Sequence, residues 1–382
     1  MSSHHTFVVF EEAFGPNSFQ RCNLLWRRKL TCAWKRKKLA ITMRDVARAA
    51  DVSIKTVSNV INEHPNIKPG TRERVLLAIE NLGYQPNLSA RGLRSGRTDV
   101  ISLIIPDLKN AYFAELADAV MTAASKRGKV VIIEQSGGLR ERELEILHGP
   151  RMRMVDGVLY SVLGLSQQDA DLIDIPTPIV LLGERIFNGP ADHVTMQNIE
   201  ASQAATEHLL ERGRTRLLAF GAHRNEVIGS AGLRLEGYRR ALQKAGLEYR
   251  DELAIDVQSW HRADGALAMR KVLESGLTFD GVVAFNDSIA LGAMRVMQDA
   301  GLKIPEDVAI IGFDDIDETR YSLPTLSTID PGRQEIAETA VSMLLERIDG
   351  PDVATPAREF EAGFKVICRG STAIPTASAA LT

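Results

Sequence analysis

The sequence predicts an all-α head and an α/β body of two Rossmann-like lobes built on parallel sheets. Three observations predict it. Thr42 to Asn59, TMRDVARAADVSIKTVSN, reads as two short helices joined by a tight turn. From Asp99 onward, short apolar runs alternate with helical patterns over about 270 residues. Charge is divided as well: residues 1–98 carry 17 Lys and Arg against 7 Asp and Glu, net +10, and the remainder carries 29 against 42, net −13.

A chain of 382 residues exceeds one ordinary domain, and 45% apolar with 25% charged residues is the composition of a soluble globular protein. A basic front on an acidic body fits a nucleic-acid-binding head, although a basic block alone is often only a solvated face. Cys22, Cys32 and Cys368 form neither a CxxC pair nor an even disulfide framework, which points to a reducing cytoplasm. No apolar run approaches the roughly 18 residues needed to span a bilayer. Residues 1–41 form a basic extension that is expected to be disordered, read either as an over-long start or as a basic arm. Its seven Lys and Arg between Trp26 and Lys38 break the apolar stretch that a secretory signal needs.

Within the head, Thr42 with Asp45 three residues on, and Ser53 before Ile54, are N-cap signals. Val46, Ala47 and Ala50 share one face of the first helix, and Val57, Val60 and Ile61 one face of the second. The pattern is that of a helix-turn-helix, although a generic helical hairpin shares it. Ile67 to Thr98 adds a third amphipathic helix with Pro69 in its first turn and Val75, Ile79 and Leu82 inward. Asn87 to Arg94, NLSARGLR, is too short to hold a helix alone in water, and Gly92 weakens it further, so it should order only with a partner.

The DVA...VS...TVS...N pattern of the helix pair, the LGYQPN link and the ARGL hinge resemble the LacI/GalR family of bacterial transcription regulators. The resemblance runs from about Thr42 to Thr372. It implies a DNA-binding head at 42–86, a hinge helix and linker at 87–98, an effector-binding and dimerisation domain at 99–372 and a tail at 373–382. Ile54, Lys55 and Asn59 match the family's base-reading positions. Lys55 can donate to guanine O6 and N7, Asn59 can pair with adenine, and Ile54 can touch a thymine methyl. Ser53, Thr56, Ser58 and Arg72 are expected on phosphates, which fix register without reading sequence. Leu93 falls on the family's minor-groove wedge, with Arg91 and Arg94 near phosphates. The implied DNA partner is a near-palindromic duplex operator, held by a homodimer or a higher assembly.

In the body, DVISLIIPD precedes a helix at 111–127 and VVIIE one at 139–152. GVLYS, PIVLLG, RLLAFG, GVVAF and VAIIGFD continue the rhythm. Such runs read as strands buried on both faces, with ligands bound beyond their carboxyl ends. The lobes resemble those of periplasmic sugar-binding proteins. The first takes about 98–198 and 333–349, the second about 199–330 and 351–372, and three crossings make a hinge. Unusual residues collect at strand ends and helix starts: Tyr112 and Phe113, Arg234, Trp260, Asn286 with Asp287, and Asp314 with Asp315. Aromatic faces on a sugar ring, with Arg, Asn and Asp on its hydroxyls, are what a polyol site requires. By resemblance Arg234, Asn286 and Asp314 match polar effector contacts, while Trp260 and the Tyr112–Phe113 pair match ring-stacking positions. Asp287 reads as a helix cap. The plainer alternatives are Trp260 as core, Arg234 as a surface charge and the two aspartates as turn formers. One departure stands out: where many family members carry Asp-Asn with Gly three residues later, this chain has Gln197, Asn198 and Ala201. Glu184 and Arg185 after PIVLLG are the candidates to restore that polarity.

Catalysis finds no support, since the chain has no G-x-G-x-x-G after its first strand, no GxxxxGK[ST], no HExxH and no nucleophile elbow. Eight histidines show no metal-ligand spacing, so neither metal nor cofactor is expected. A transport-type binding protein would lack the head. The expected function is repression of carbohydrate uptake or catabolism genes under control of a sugar-like effector. A co-repressor of nucleobase or phosphosugar type is the alternative.

Overall fold

A computed structural model describes residues 41–61, 64–84, 97–350 and 355–373. The extension before Ile41, the hinge segment with Arg91, Leu93 and Arg94, and residues 374–382 lie outside the described residues. The chain divides into two units, a head and a body.

The head has three helices, α1 (Met43–Ala49), α2 (Ile54–Ile61) and α3 (Pro69–Leu82). Val46, Ala47, Ala50, Val57, Val60, Val75, Ala78 and Tyr84 give it a core of its own. The Asp45 carboxylate accepts the backbone N–H and the hydroxyl of Thr42 at 3.0 and 2.6 Å, tying the helix start to its first turn. At α2 the bond runs the other way, with Ser53 Oγ accepting the Thr56 N–H at 3.0 Å. Between the two helices Asp51 takes a left-handed φ of 52°, which Asp tolerates better than most residues. Gly83 closes α3 at a φ of 62°.

The body holds two parallel sheets. The first runs β11-β5-β4-β3-β1-β2, where β1 is Val100–Ile105, β2 Val130–Gln135, β3 Gly157–Ser161, β4 Ile179–Leu182, β5 Asp192–Met196 and β11 Glu359–Ala362. The second runs β7-β6-β8-β9, where β6 is Leu217–Ala222, β7 Ala254–Asp256, β8 Gly281–Ala284 and β9 Ala309–Ile311. Helices α4 (Ala111–Ser125) and α10 (Arg333–Asp349) cover one face of the first sheet, and α5 (Arg140–Leu147) lies on the other. In the second lobe Leu217 and Ala219 face α6 (Asn198–Leu210) and α7 (Ser230–Lys244). Leu218 and Phe220 face α8 (Arg262–Glu274) and α9 (Asp287–Asp299). Alternate residues of one strand thus feed two cores.

The chain passes between lobes after β5, after β10 (Thr328–Asp330) and after β11; β10 pairs antiparallel with β12 (Lys365–Ile367). Three sequence expectations need correcting. Residues 351–372 do not all join the second lobe, because Glu359–Ala362 adds a strand beside β5 in the first sheet. The helix expected over 139–152 stops at Leu147, since Pro150 opens a separate 3₁₀ turn to Met154. The VVIIE run is not buried on both faces: β2 is an edge strand, with Val130 and Ile132 56% and 52% exposed.

Candidate functional site

Strands of both lobes end at a cavity of about 290 Å³. Tyr112, Phe113, Arg234, Trp260, Asn286 and Asp314 all line it, as do Glu184 and Arg185.

Arg234, one turn into α7, is only 3% exposed. Its Nε donates to Asn198 Oδ1 at 2.8 Å and its Nη1 donates to the Phe285 carbonyl. Its guanidinium carbon lies 3.5 Å from the centroid of the Phe313 ring and 5.3 Å from that of Trp260. Asn198, the member of the family's Asp-Asn pair that this chain keeps, therefore serves as the anchor of Arg234. Burial weakens the guanidinium's hold on its proton, and Asp314, with Oδ1 3.9 Å from Nη1, opposes that effect.

Burial pushes the Asp314 carboxyl up to about 7, although Arg234 and Arg333 pull it down. The backbone φ is 120° at Asp314 and 49° at Asp315. Such conformations in non-glycine residues cost about 1–3 kcal/mol each and collect at ligand sites. The turn is held from behind by Arg333, which donates to the Asp314 carbonyl at 2.7 Å. Arg369 and Arg320 donate to the Asp315 carboxylate at 2.6 and 2.9 Å, so Asp315 belongs to the framework and Asp314 to the cavity.

Asp287 is not the helix cap. Asn286 has the extended backbone that an N-cap needs, and its Oδ1 accepts the Ile289 N–H at 2.9 Å. Its Nδ2 donates to the Trp260 carbonyl at 3.1 Å, so both polar ends are engaged where it borders the cavity. Asp287, already in the first helical turn, is wholly buried and accepts from Thr328 Oγ1 at 2.6 Å and from the Ile316 N–H at 3.1 Å. Burial raises its pKa, and nearby Asp314 raises it further. Gly312 admits this carboxylate, since a Cβ there would stand 2.0 Å from Oδ1.

On the aromatic walls, Tyr112 and Phe113 pack edge to face at 5.3 Å, and the Trp260 indole donates to the Gly221 carbonyl at 3.2 Å. Burial pushes the Tyr112 hydroxyl up, leaving it neutral.

Polar contacts around the lobe boundary bring in Asp107, His223, Glu226, Ser230 and His261, which no sequence motif marks. Asp107 pairs with His261 at 3.0 Å, and Arg185 and His223 each reach Glu226 at 3.2 Å. The Ser230 hydroxyl donates to Glu184 at 2.6 Å. The Glu226 hydrogen bond pulls the His223 pKa up. Asp107, His223 and Glu226 lie just past the ends of β1 and β6, so the strand-end rule applied to every strand would have found them; Glu184 and Arg185, past β4, are already candidates from the sequence.

In the head, α2 turns Ile54 and Lys55 to solvent, and Thr56, Ser58 and Asn59 are half-buried on its flank. The Ser53 and Thr56 hydroxyls share a hydrogen bond of 2.9 Å. Arg72 donates to the His64 carbonyl at 2.9 Å, so part of its guanidinium braces the loop before α3.

A helix-turn-helix head and a two-lobed ligand cleft on one chain define the class of ligand-responsive DNA-binding regulators. Residues 42–87 match the family model of bacterial regulatory proteins, lacI family, and residues 206–372 match that of the periplasmic binding protein-like domain. The ribose operon repressor of Escherichia coli (strain K12) is 32% identical over 312 residues, covering 81% of this chain and 94% of the repressor. Among solved structures, a LacI-family transcriptional regulator from Sanguibacter keddieii DSM 10542 is 48% identical with a TM-score of 0.68, covering 72% of this chain and 99% of that one. The lac repressor dimer bound to operator and the anti-inducer ONPF is 25% identical with a TM-score of 0.75, covering 87% and 99%. The chain belongs to the lacI family of bacterial regulatory proteins, and it is a DNA-binding transcriptional regulator. No helix among the described residues is long and apolar enough to cross a membrane.

Proposed function

We propose that this regulator represses carbohydrate uptake or catabolism genes and that a sugar-like molecule held between its lobes sets its affinity for the operator. One observation carries the reading: the aromatic faces of Tyr112, Phe113 and Trp260 converge with Arg234 and Asp314 on a single cavity of about 290 Å³. The name of the ribose operon repressor among its relatives supports the sugar class. A ligand that fits one arrangement of the lobes better shifts the population toward it, and reciprocal linkage changes DNA affinity by about 1–3 kcal/mol.

On the DNA side, Ile54, Lys55 and Asn59 read base edges while Ser53, Thr56, Ser58 and Arg72 hold phosphates. Arg91, Arg94 and the wedge residue Leu93 complete the set from outside the described residues. The target is a near-palindromic duplex in the cytoplasm, bound by a homodimer. The exposed apolar side chains Val130 and Ile132 on the edge strand β2 support pairing through the first lobe.

Selection of randomised duplexes on the purified protein tests the reading. A near-palindromic site should emerge, and an added sugar should change its affinity by roughly 5- to 150-fold. Weaker binding means induction and tighter binding co-repression; no sequence preference, or no response to any sugar, defeats the proposal. Lys55→Ala should cost about 1–3 kcal/mol of discrimination at one base position. Arg72→Ala should instead lower the slope of log affinity against log salt by about one and leave base preference alone. Sequencing of the selected sites and salt titrations separate the two.

A further inference from the structure

Four acidic side chains and two arginines line the cavity. Three of the acids have a nearby cation or histidine: Asp107 has His261 at 3.0 Å, Glu226 has Arg185 and His223 at 3.2 Å, and Asp314 has Arg234 at 3.9 Å. Glu184 is the exception. It is 6% exposed and its Oε2 accepts from Ser230, but its Oε1 meets no donor among the described residues. Nor is it within ion-pair range of any cation among them. Arg185, the next residue, spends its guanidinium on the Ile228 carbonyl and the Glu226 carboxylate. Arg234 is committed to Asn198 and Phe285, with its remaining nitrogen 3.6 Å from Met196 Sδ.

A buried carboxylate oxygen without a donor is unfavourable in itself, and native sites retain such atoms where a ligand supplies the missing bond. We infer that the effector is a polyhydroxylated molecule carrying no anionic group, and that it places an O–H or N–H donor on Oε1 of Glu184. Phosphorylated and carboxylated sugars are excluded, because they bring a second negative charge beside Glu184 while both arginines of the cavity are already engaged. Glu184 is thus the residue that decides effector class, from a position no family motif marked. The inference rests on the effector-controlled reading and narrows it.

The test is calorimetric titration of the full-length protein with ribose, glucose, glucosamine, ribose 5-phosphate and glucose 6-phosphate, with duplex affinity followed in parallel. At least one of the first three should bind and neither phosphate ester should. Glu184→Gln keeps the side-chain shape and removes the charge; it should weaken the binding sugar by about 10- to 100-fold and leave the melting temperature without ligand no lower. Ser230→Ala, which frees Glu184 from its tether, should cause a smaller loss in the same direction. Equal sugar affinity in wild type and Glu184→Gln overturns the inference, as does binding of either phosphate ester. If a phosphate ester binds and shifts duplex affinity, effector control stands and only the exclusion falls. If no compound binds or shifts duplex affinity, both fall.

Discussion

Asp314→Asn is expected to give a folded protein that no longer answers to its effector. Asn accepts left-handed backbone about as readily as Asp, so the φ of 120° survives the change, as does the carbonyl bond from Arg333. What goes is the carboxylate whose Oδ1 lies 3.9 Å from Arg234 Nη1. A ligand hydroxyl that donates to this carboxylate loses a charge-assisted bond, so ligand affinity should drop roughly tenfold or more. The effector should then fail to move the duplex-binding isotherm at concentrations that saturate the wild type. A full response from the variant removes Asp314 from the site.

The same substitution carries a pH signature with a definite sign. Burial raises the Asp314 carboxyl to about 7 from an ordinary value of 3.8. A group whose pKa is raised on folding contributes fully below its unfolded value, and that contribution is lost as pH climbs through the folded value. Wild-type stability should therefore fall between pH about 4 and 7. Part of that slope should vanish in Asp314→Asn, with the rest coming from Asp287, which burial also raises. Arg234, Arg333, Glu184 and Glu115 all act on Asp314, and none of them is changed by the substitution. Urea unfolding at successive pH values reads the difference; parallel slopes in the two proteins would falsify the assignment.

What was legible in the sequence follows from distance along the chain. The caps at Thr42 and Ser53 are contacts of three residues' span, and the buried strands announce themselves as apolar runs, so head, lobes and strand ends could be read directly. Tyr112, Phe113, Arg234, Trp260, Asn286 and Asp314 could be reached because each lies beside a strand end or a helix start. Asp287 was misassigned because adjacent Asn and Asp are both good caps by composition, and only backbone conformation separates them. The edge position of β2 was hidden because an apolar run looks the same whether helices or solvent cover its second face. The strand Glu359–Ala362 was misplaced because a third crossing of the hinge leaves no local mark. Glu184 could be singled out by position but not by role, since the missing donor exists only once two lobes are built around it.

The largest loss of stability should follow Asp192→Ala, at a residue that no sequence motif singles out. Asp192 opens β5 and is 1% exposed. Its carboxylate accepts Arg347 Nε and Nη2 at 3.0 and 2.6 Å, and the Arg358 backbone N–H and Nη2 at 2.9 and 2.8 Å. These partners stand 155 and 166 residues away, on α10 and just before β11. One side chain thus fastens the first sheet to both segments that return to it after the second lobe. Burial alone would push its pKa up, but the two arginines outweigh that and hold it at about 2. Removing the carboxylate leaves Arg347 partly buried without its counter-charge, and breaking such a pair costs about 3–5 kcal/mol. In a body of this size that lowers Tm by roughly 6–20 °C. Arg358→Ala should cost a fraction as much, because its side chain is 45% exposed and Arg347 remains in place. The sign in pH is opposite to that of Asp314: a depressed carboxyl stabilises above the ordinary carboxylate range, and that stability drains as pH falls from about 4 toward 2. Asp192→Asn should lack this acid-side loss while being less stable at neutral pH. Melting curves of the three variants between pH 3 and 8 decide the matter, and a neutral-pH loss under 1 kcal/mol for Asp192→Ala would reduce the knot to an ordinary surface ion pair.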